Sequence, residues 1–311
     1  MNINKIAIIG ANGFIGSNLA RKLQESSDNA ITLFGRSAMA MSDTSLPYKK
    51  IDLSNTSQIL EDFRDMDFIY FLASETIPAT SWNNPTLEIT NNLLPFIIFL
   101  EAIATLNIKK IIFISSAGTI YGPTHLQVGE DSVKNPFSPY GITKLTMEYY
   151  LNYFSIRSNL HYDIYRVSNV YGEGQNVSKG LGIINTFIEK IITEHKIQIF
   201  GKGENIRNYI YVQDLVTLMA HSVTADTEIC NIFNASSNDT LSINELVKII
   251  NDVIPLDFDI EYTADRKSDN TAIYLNNDKL LANNPGFRFT SIDDGIAKTY
   301  RHISTIMTQK K

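Results

Sequence analysis

The 311-residue chain is poor in several things, and each shortage excludes something. It has one cysteine, Cys230, so no internal disulfide can form. That cysteine sits in the alternating run Glu228-Ile-Cys-Asn-Ile-Phe233, which reads as a buried strand holding a small hydrophobe. Positive charge is not in excess: 27 Lys and Arg against 33 Asp and Glu leave a net charge of −6, and no basic patch stands out. A nucleic-acid partner held through its phosphates is therefore not expected. Long apolar runs are missing too, since Phe96-Ile-Ile-Phe-Leu100 is followed at once by Glu101. The first strand starts almost at residue 1, so no signal peptide is expected, and a cytoplasmic protein without a membrane partner is. No internal repeat, low-complexity segment or metal-ligand cluster is read.

What the chain does have begins at Lys5. Lys5-Ile-Ala-Ile-Ile-Gly10 is a short apolar run that predicts a buried parallel strand. Gly10-Ala-Asn12-Gly13-Phe14-Ile15-Gly16 follows, and Ser17 to Leu23 carries apolar residues at helical spacing. Strand, glycine-rich turn and helix in this order suit a dinucleotide. Gly10 permits the tight turn, Gly13 admits a pyrophosphate, and Gly16 lets helix approach strand. The free N–H groups of the helix start would face the phosphates.

The second strand, Ala30 to Phe34, ends in Gly35-Arg36-Ser37. A carboxylate often stands there to hold the adenosine ribose, and none is present. Arg36 and Ser37 suit a ribose 2′-phosphate, so NADP(H) is expected in preference to NAD(H). Further strands are expected at Ile51-Asp52-Leu53, Asp67 to Leu72 and Lys109 to Ser115. Helices are expected at Ser57 to Arg64 and at Asn91 to Leu106, with Pro95 in its first turn. This alternation predicts an α/β fold, a doubly wound parallel sheet of Rossmann type, with a smaller mixed α/β substrate-binding unit. The Rossmann domain is assigned to 1–171 and the substrate domain mainly to 172–311, with segments near 214–235 returning to the first.

The chemistry is concentrated in Ser115-Ser116-Ala117-Gly118-Thr119-Ile120-Tyr121-Gly122 and in Pro139-Tyr140-Gly-Ile-Thr-Lys144. The first leaves the end of a strand, where open parallel sheets place ligands. In the second, Tyr140 and Lys144 share one face of a helix. An ammonium beside a tyrosine favours phenolate and lowers its pKa from ~10. The tyrosine could then exchange a proton with an alcohol or carbonyl while hydride moves to or from a nicotinamide. Ser116 or Thr119 would hold the same substrate oxygen.

These motifs together resemble the extended short-chain dehydrogenase/reductases, in the group of nucleotide-sugar epimerases, dehydratases and ketoreductases. The resemblance spans almost the whole chain. Besides the glycine turn it rests on Asp52-Leu53, Leu72-Ala73, the stretch Pro85 to Asn92 and Tyr140-x-x-x-Lys144. Arg166-Val-Ser-Asn169-Val-Tyr171-Gly172, Arg207 to Asp214 and Arg266 complete it. It implies that Asp52 and Leu53 contact adenine, and that Leu72, Ala73 and Ser74 line the path to nicotinamide. Ser115 and Val167 join the cofactor set. Tyr140 would be the acid/base, and Lys144 would also hold the nicotinamide ribose. Asn169, Arg207 and Arg266 would bind the nucleoside diphosphate of the substrate.

The chain departs from the pattern at the missing acid after the second strand, at Asn208 where Asp is frequent, and at Ala117, where relatives carry the catalytic Ser or Thr. The expected reaction is reduction at C4 of a nucleoside-diphosphate 4-keto-hexose. The alternatives are a UDP-glucose 4-epimerase-like enzyme and, in another class, a catalytically silent dinucleotide-binding regulator. A dehydratase is disfavoured, because Ala117-Gly118 replaces its Asp-Glu pair. By resemblance a homodimer is expected, through the helices Asn91 to Leu106 and Tyr140 to Phe154.

Overall fold

A computed structural model describes residues 3–38, 45–177, 182–225, 228–264 and 272–309. The chain divides into two compact units. The first comprises Met1–Ile120, Lys134–Arg166 and Val216–Phe233; the second comprises Tyr121–Val133, Val167–Leu215 and Asn234–Lys311.

The first unit opens with β1 (Asn4–Ile9), α1 (Phe14–Leu23), β2 (Asn29–Gly35), β3 (Tyr48–Lys50), α2 (Thr56–Phe63) and β4 (Phe68–Phe71). Asn55 caps α2 by accepting from the Gln58 N–H at 3.1 Å, which satisfies a donor the helix cannot use. Next come α3 (Pro78–Ser81) and a continuous helix made of α4 (Pro85–Leu87), a π-helical segment Glu88–Leu93, and α5 (Leu94–Ile103). Then follow β5 (Lys110–Ser116), α6 (Ala117–Ile120), the short β6 (Gln127–Val128) of the second unit, α7 (Pro139–Ser158) and β7 (His161–Val167).

The seven-stranded sheet runs Asn231–Ala235, β7, β5, β4, β1, β2, β3. β1 lies inside it, parallel to both neighbours, with Ile9 opposite Phe34 of β2 and Phe71 of β4. Ile6 to Ile9 and all of β4 are buried, as strands covered on both faces must be. Phe34 stacks on Phe63 with ring centroids 4.6 Å apart, and Phe71 meets Phe96 edge-on at 4.7 Å, so α2 and α5 are fixed to one face by aromatic contacts. The expected doubly wound parallel sheet is what forms.

Several boundaries differ from expectation. The strand expected at Ile51-Asp52-Leu53 lies just before those residues, at Tyr48–Lys50. The helix expected from Asn91 already starts at Pro85. Pro95 offers no N–H to a carbonyl four residues back, and the turn before it relaxes into π geometry. Pro85–Ile103 is long and apolar enough to cross a membrane by length and composition. Phe96, Phe99, Leu100 and Ile103 nevertheless lie in the core of this unit. The strand expected to end at Ser115 runs through Ser116.

In the second unit Ile206–Tyr211 is the middle strand of three, parallel to Asn169–Tyr171 and antiparallel to Thr240–Ser242. Two parallel pairs accompany it, Lys196–Phe200 with Asp259–Thr263 and β6 with Tyr274–Leu275. Its helices include Ile183–Glu194, Ile243–Val253 and Ile292–Gln309. Ser242 and Glu245 form a capping box at the start of the middle one.

Candidate active site

The glycine turn is built to leave backbone bare. Gly10 has φ of +88°, and a Cβ there would lie 2.9 Å from the Ala73 nitrogen and the Leu72 carbonyl carbon. At Gly16 a Cβ would strike the Gly10 carbonyl and sit 2.8 Å from the Ala11 Cα. Leu72 and Ala73 thus abut the turn, at the end of β4. Gly13 stands at the N-cap of α1 with no side chain to cap it, and the first turn carries no acid. Phe14 and Ile15 open the helix, half-buried. Unsatisfied N–H groups and a positive dipole end, with no carboxylate nearby on the helix, fit a dinucleotide pyrophosphate.

At the open end of β2, the Asn12 amide donates to Ser37 Oγ at 2.9 Å and to the Tyr48 hydroxyl at 3.1 Å. Sequence reasoning misses Tyr48, because it follows a loop whose length hides the contact. Arg36 is ion-paired with Glu75, which also accepts from Asn91 at 3.0 Å. Asp52 is exposed and accepts from the Ser54 N–H at 2.9 Å, while Leu53 packs on the core. The Ser74 hydroxyl donates to the Thr76 carbonyl at 3.0 Å.

The Tyr140–Lys144 pair lies in the first turns of α7. Ser138 accepts from the Gly141 N–H at 3.1 Å, and Pro139 holds the first helical position, so cap and proline set where the helix starts. Lys144 is buried, 4% exposed. Its ammonium donates to the Ile114 carbonyl of β5 at 3.1 Å, 5.7 Å from the centroid of the Tyr140 ring and 4.9 Å from that of Phe113. Burial lowers its pKa to about 8, against the opposing pull of Glu88 and Glu148. For Tyr140 the balance differs from expectation. Burial, then the Glu88 charge, push its hydroxyl above the usual value rather than towards working pH.

The hydroxyl candidates gather at the same strand end. Ser115 and Thr119 are buried and their hydroxyls have no partner; Ser116 is half-buried; Ala117 is fully buried. A Cβ on Gly141 would strike the Thr119 carbonyl, so α6 is seated directly on the residue after Tyr140. Thr119 therefore lies against the start of α7, and Ser116 ends β5, the strand whose Ile114 carbonyl accepts from Lys144.

In the second unit Asn169 donates to the Asn208 carbonyl at 2.9 Å, and Arg207 to the Ile206 carbonyl at 3.0 Å. Asn208, the departure noted above, is buried. It donates to Thr240 Oγ1 and accepts from the Leu275 N–H, so it ties strand to strand. Val167 ends β7. Arg266 lies outside the described residues. One buried acid beside the pair, Glu88, is also absent from the sequence-based set.

The comparisons with known proteins agree on where this geometry belongs. The NAD dependent epimerase/dehydratase family profile matches residues 6–235. A Methanocaldococcus jannaschii protein provisionally named UDP-glucose 4-epimerase is 31% identical, over 87% of this chain and 89% of its own. A dTDP-4-dehydro-6-deoxyglucose reductase of Escherichia coli is 28% identical over 96% of this chain and 98% of its own. Among solved structures, a UDP-N-acetylglucosamine 4-epimerase from Methanobrevibacter ruminantium aligns with a TM-score of 0.90 and 26% identity, covering 99% of this chain and 100% of that one.

The expected preference for NADP(H) over NAD(H) is overturned. The UDP-glucose 4-epimerase of Thermus thermophilus (TM-score 0.85, 22% identity, 96% of this chain and 99% of that one) is a complex with NAD. So is the UDP-glucuronic acid 4-epimerase of Bacillus cereus (TM-score 0.87, 22% identity, 97% and 99%). The physical reason is visible here: Glu75 already neutralises Arg36, and its carboxylate would repel a 2′-phosphate. With about three quarters of the chain inside the profile and a relative above 30% identity along most of its length, this chain belongs to the NAD-dependent epimerase/dehydratase family.

Proposed function

We propose that this chain is an NAD-dependent nucleotide-sugar 4-epimerase that inverts C4 of a UDP-hexose. The observation that carries the proposal is the buried Lys144 ammonium beside Tyr140 at the end of β5, in a chain whose relatives include several 4-epimerases. The glycine turn, Asn12, Leu72 and Ala73 would hold the dinucleotide, with Lys144 on its nicotinamide ribose. A bound nicotinamide would supply the hydride acceptor and donor for the sugar carbon. Tyr140, as the phenolate with the Lys144 ammonium as its counter-charge, would take the C4 hydroxyl proton as hydride leaves, and give it back to the oxygen when hydride returns. Ser116 or Thr119 would donate to that oxygen and hold it in place. Asn169, Arg207 and Arg266 would grip the diphosphate, for which arginine is well suited.

A reductase releases its cofactor after each turnover, as an exchanging NADP(H) would, whereas a 4-epimerase keeps NAD bound, so the NAD complexes of the relatives favour the epimerase reading. Reduction of a 4-keto sugar remains the second reading, because the Escherichia coli reductase matches nearly end to end. Incubating the purified protein with UDP-glucose and no added cofactor separates the two: an epimerase forms UDP-galactose, and a reductase forms nothing.

A homodimer belongs to the same proposal. Ile142, Tyr149, Tyr153 and Ile156 form one exposed apolar stripe along α7, and Leu87, Ile89 and Leu94 are exposed on the helix packed against it. Two copies would bury these as a four-helix interface. Sedimentation at micromolar concentration tests this, and a monomer there contradicts it.

A further inference from the structure

The proposed chemistry leaves one buried acid without a task. Glu88 is 2% exposed. Its Oε2 accepts from the Asn92 amide at 3.2 Å, and its Oε1 has no partner. Asn92 is itself anchored, donating to Thr76 Oγ1 at 2.9 Å and accepting from the Glu75 N–H at 2.9 Å. A buried carboxylate with half its hydrogen-bonding capacity unmet costs stability, so an apolar residue would serve the fold better there.

Its placement gives it a use. Glu88 is the first residue of the π-helical segment, which packs against α7. Single π turns rotate side chains out of the α-helical register and recur at functional sites. On α7, Lys144 is buried with one carbonyl as its hydrogen-bond acceptor. The titratable groups that face it are Tyr140 and Glu148 on its own helix and Glu88 on the π turn, with Arg166 of β7 beyond Glu148. Glu148 is already spent: Arg166 donates to both its oxygens, at distances from 2.7 to 3.2 Å, and both side chains are buried. Among the described residues Glu88 has no ion pair of that kind.

We propose that Glu88 is the counter-charge that keeps Lys144 in its ammonium form beside Tyr140, and that the π turn exists to bring it there. Glu88 is a positioning residue, acting through Lys144 and Tyr140 rather than on the substrate. The inference rests on the assignment of those two residues to the acid–base site. The signs are fixed by Coulomb's law. A negative charge makes both groups hold their protons more tightly, and Glu88 acts on both in that direction. Removing it moves both titrations to lower pH together, which a merely structural role would not do.

The test uses the full chain with its bound cofactor and Glu88→Gln, which keeps shape and removes charge, with Glu88→Asp as the charge-preserving control. Carbon-13 NMR of lysine side chains, with the Lys144 signal assigned by its loss in Lys144→Met, reads the ammonium directly and needs no turnover. The Lys144 midpoint should fall in Glu88→Gln and lie between that and the parent in Glu88→Asp. The limbs of the pH–rate profile should shift the same way. Should Glu88→Gln not fold, Glu88→Leu supplies a second neutral variant. An unchanged Lys144 midpoint in a folded neutral variant overturns the proposal. A shifted midpoint in a protein without epimerase activity upholds it and refutes the assigned reaction instead.

Discussion

Tyr140→Phe deletes one oxygen, and the structure separates what that oxygen does for the fold from what it does for the reaction. No residue among those described hydrogen-bonds to the Tyr140 hydroxyl, and the Lys144 ammonium lies 5.7 Å from the centroid of its ring. In the cofactor-free protein burial, then the Glu88 charge, raise the hydroxyl's pKa. Its loss therefore costs the fold almost nothing, within about 0.5 kcal/mol, as for substitutions that break no named interaction. Turnover should behave quite differently. A positioned acid/base is worth a rate factor of ~10² to 10⁴, or roughly 3 to 5.5 kcal/mol of barrier. The assay is conversion of UDP-glucose to UDP-galactose followed by NMR, alongside thermal unfolding and the amount of cofactor that copurifies. The expected result is a hundredfold or greater fall in rate with Tm and bound cofactor unchanged. A variant within a few-fold of the parent rate would refute the role of Tyr140. A rate loss matched by loss of folded protein would refute the separation of roles.

Other outcomes follow from the same geometry. The Lys144 ammonium in the cofactor-free protein should titrate near pH 8, charged below and neutral above, because burial pulls it down from the usual lysine value; a midpoint above 10 by NMR contradicts the burial. Gly16→Ala should destabilise the first unit and abolish cofactor retention, since its Cβ would meet the Gly10 carbonyl; normal cofactor content measured after purification would contradict this. Ser116→Ala and Thr119→Ala, assayed side by side, should differ by about tenfold or more in rate, the slower one marking the hydroxyl that holds the substrate oxygen. Ile156→Glu should yield monomers by sedimentation if the α7 stripe is the dimer interface, whereas an unchanged mass excludes that surface.

Much of this site is legible in sequence where a function depends on local spacing. Gly10 and Gly16 declare themselves because a side chain at either would meet backbone, of Leu72 and Ala73 or of the turn itself. Tyr140 and Lys144 declare themselves because four residues along a helix make one face. Arg36 misleads because its meaning depends on Glu75, 39 residues away, which the fold brings to it. Read alone, the arginine points to a 2′-phosphate; read with its partner, it does not. Glu88 is invisible for a related reason. An acid just ahead of the helix expected from Asn91 looks like a solvated charge, favourable near a helix N-terminus. Only the π turn, imposed where Pro95 withholds an N–H, and the packing on α7 reveal that it is buried. Asn208 likewise looks in sequence like a bare departure from a frequent Asp, whereas it joins Thr240 and Leu275 within its own unit.

The 4-epimerase assignment is tested most directly by one measurement: the purified protein, with no cofactor added, is given UDP-glucose, and the sugar and the bound nucleotide are identified by NMR and mass spectrometry. The expected result is NAD retained by the protein and UDP-galactose appearing until equilibrium is reached. NADP in place of NAD, or product formed only from a 4-keto sugar with consumption of added reduced cofactor, would contradict it.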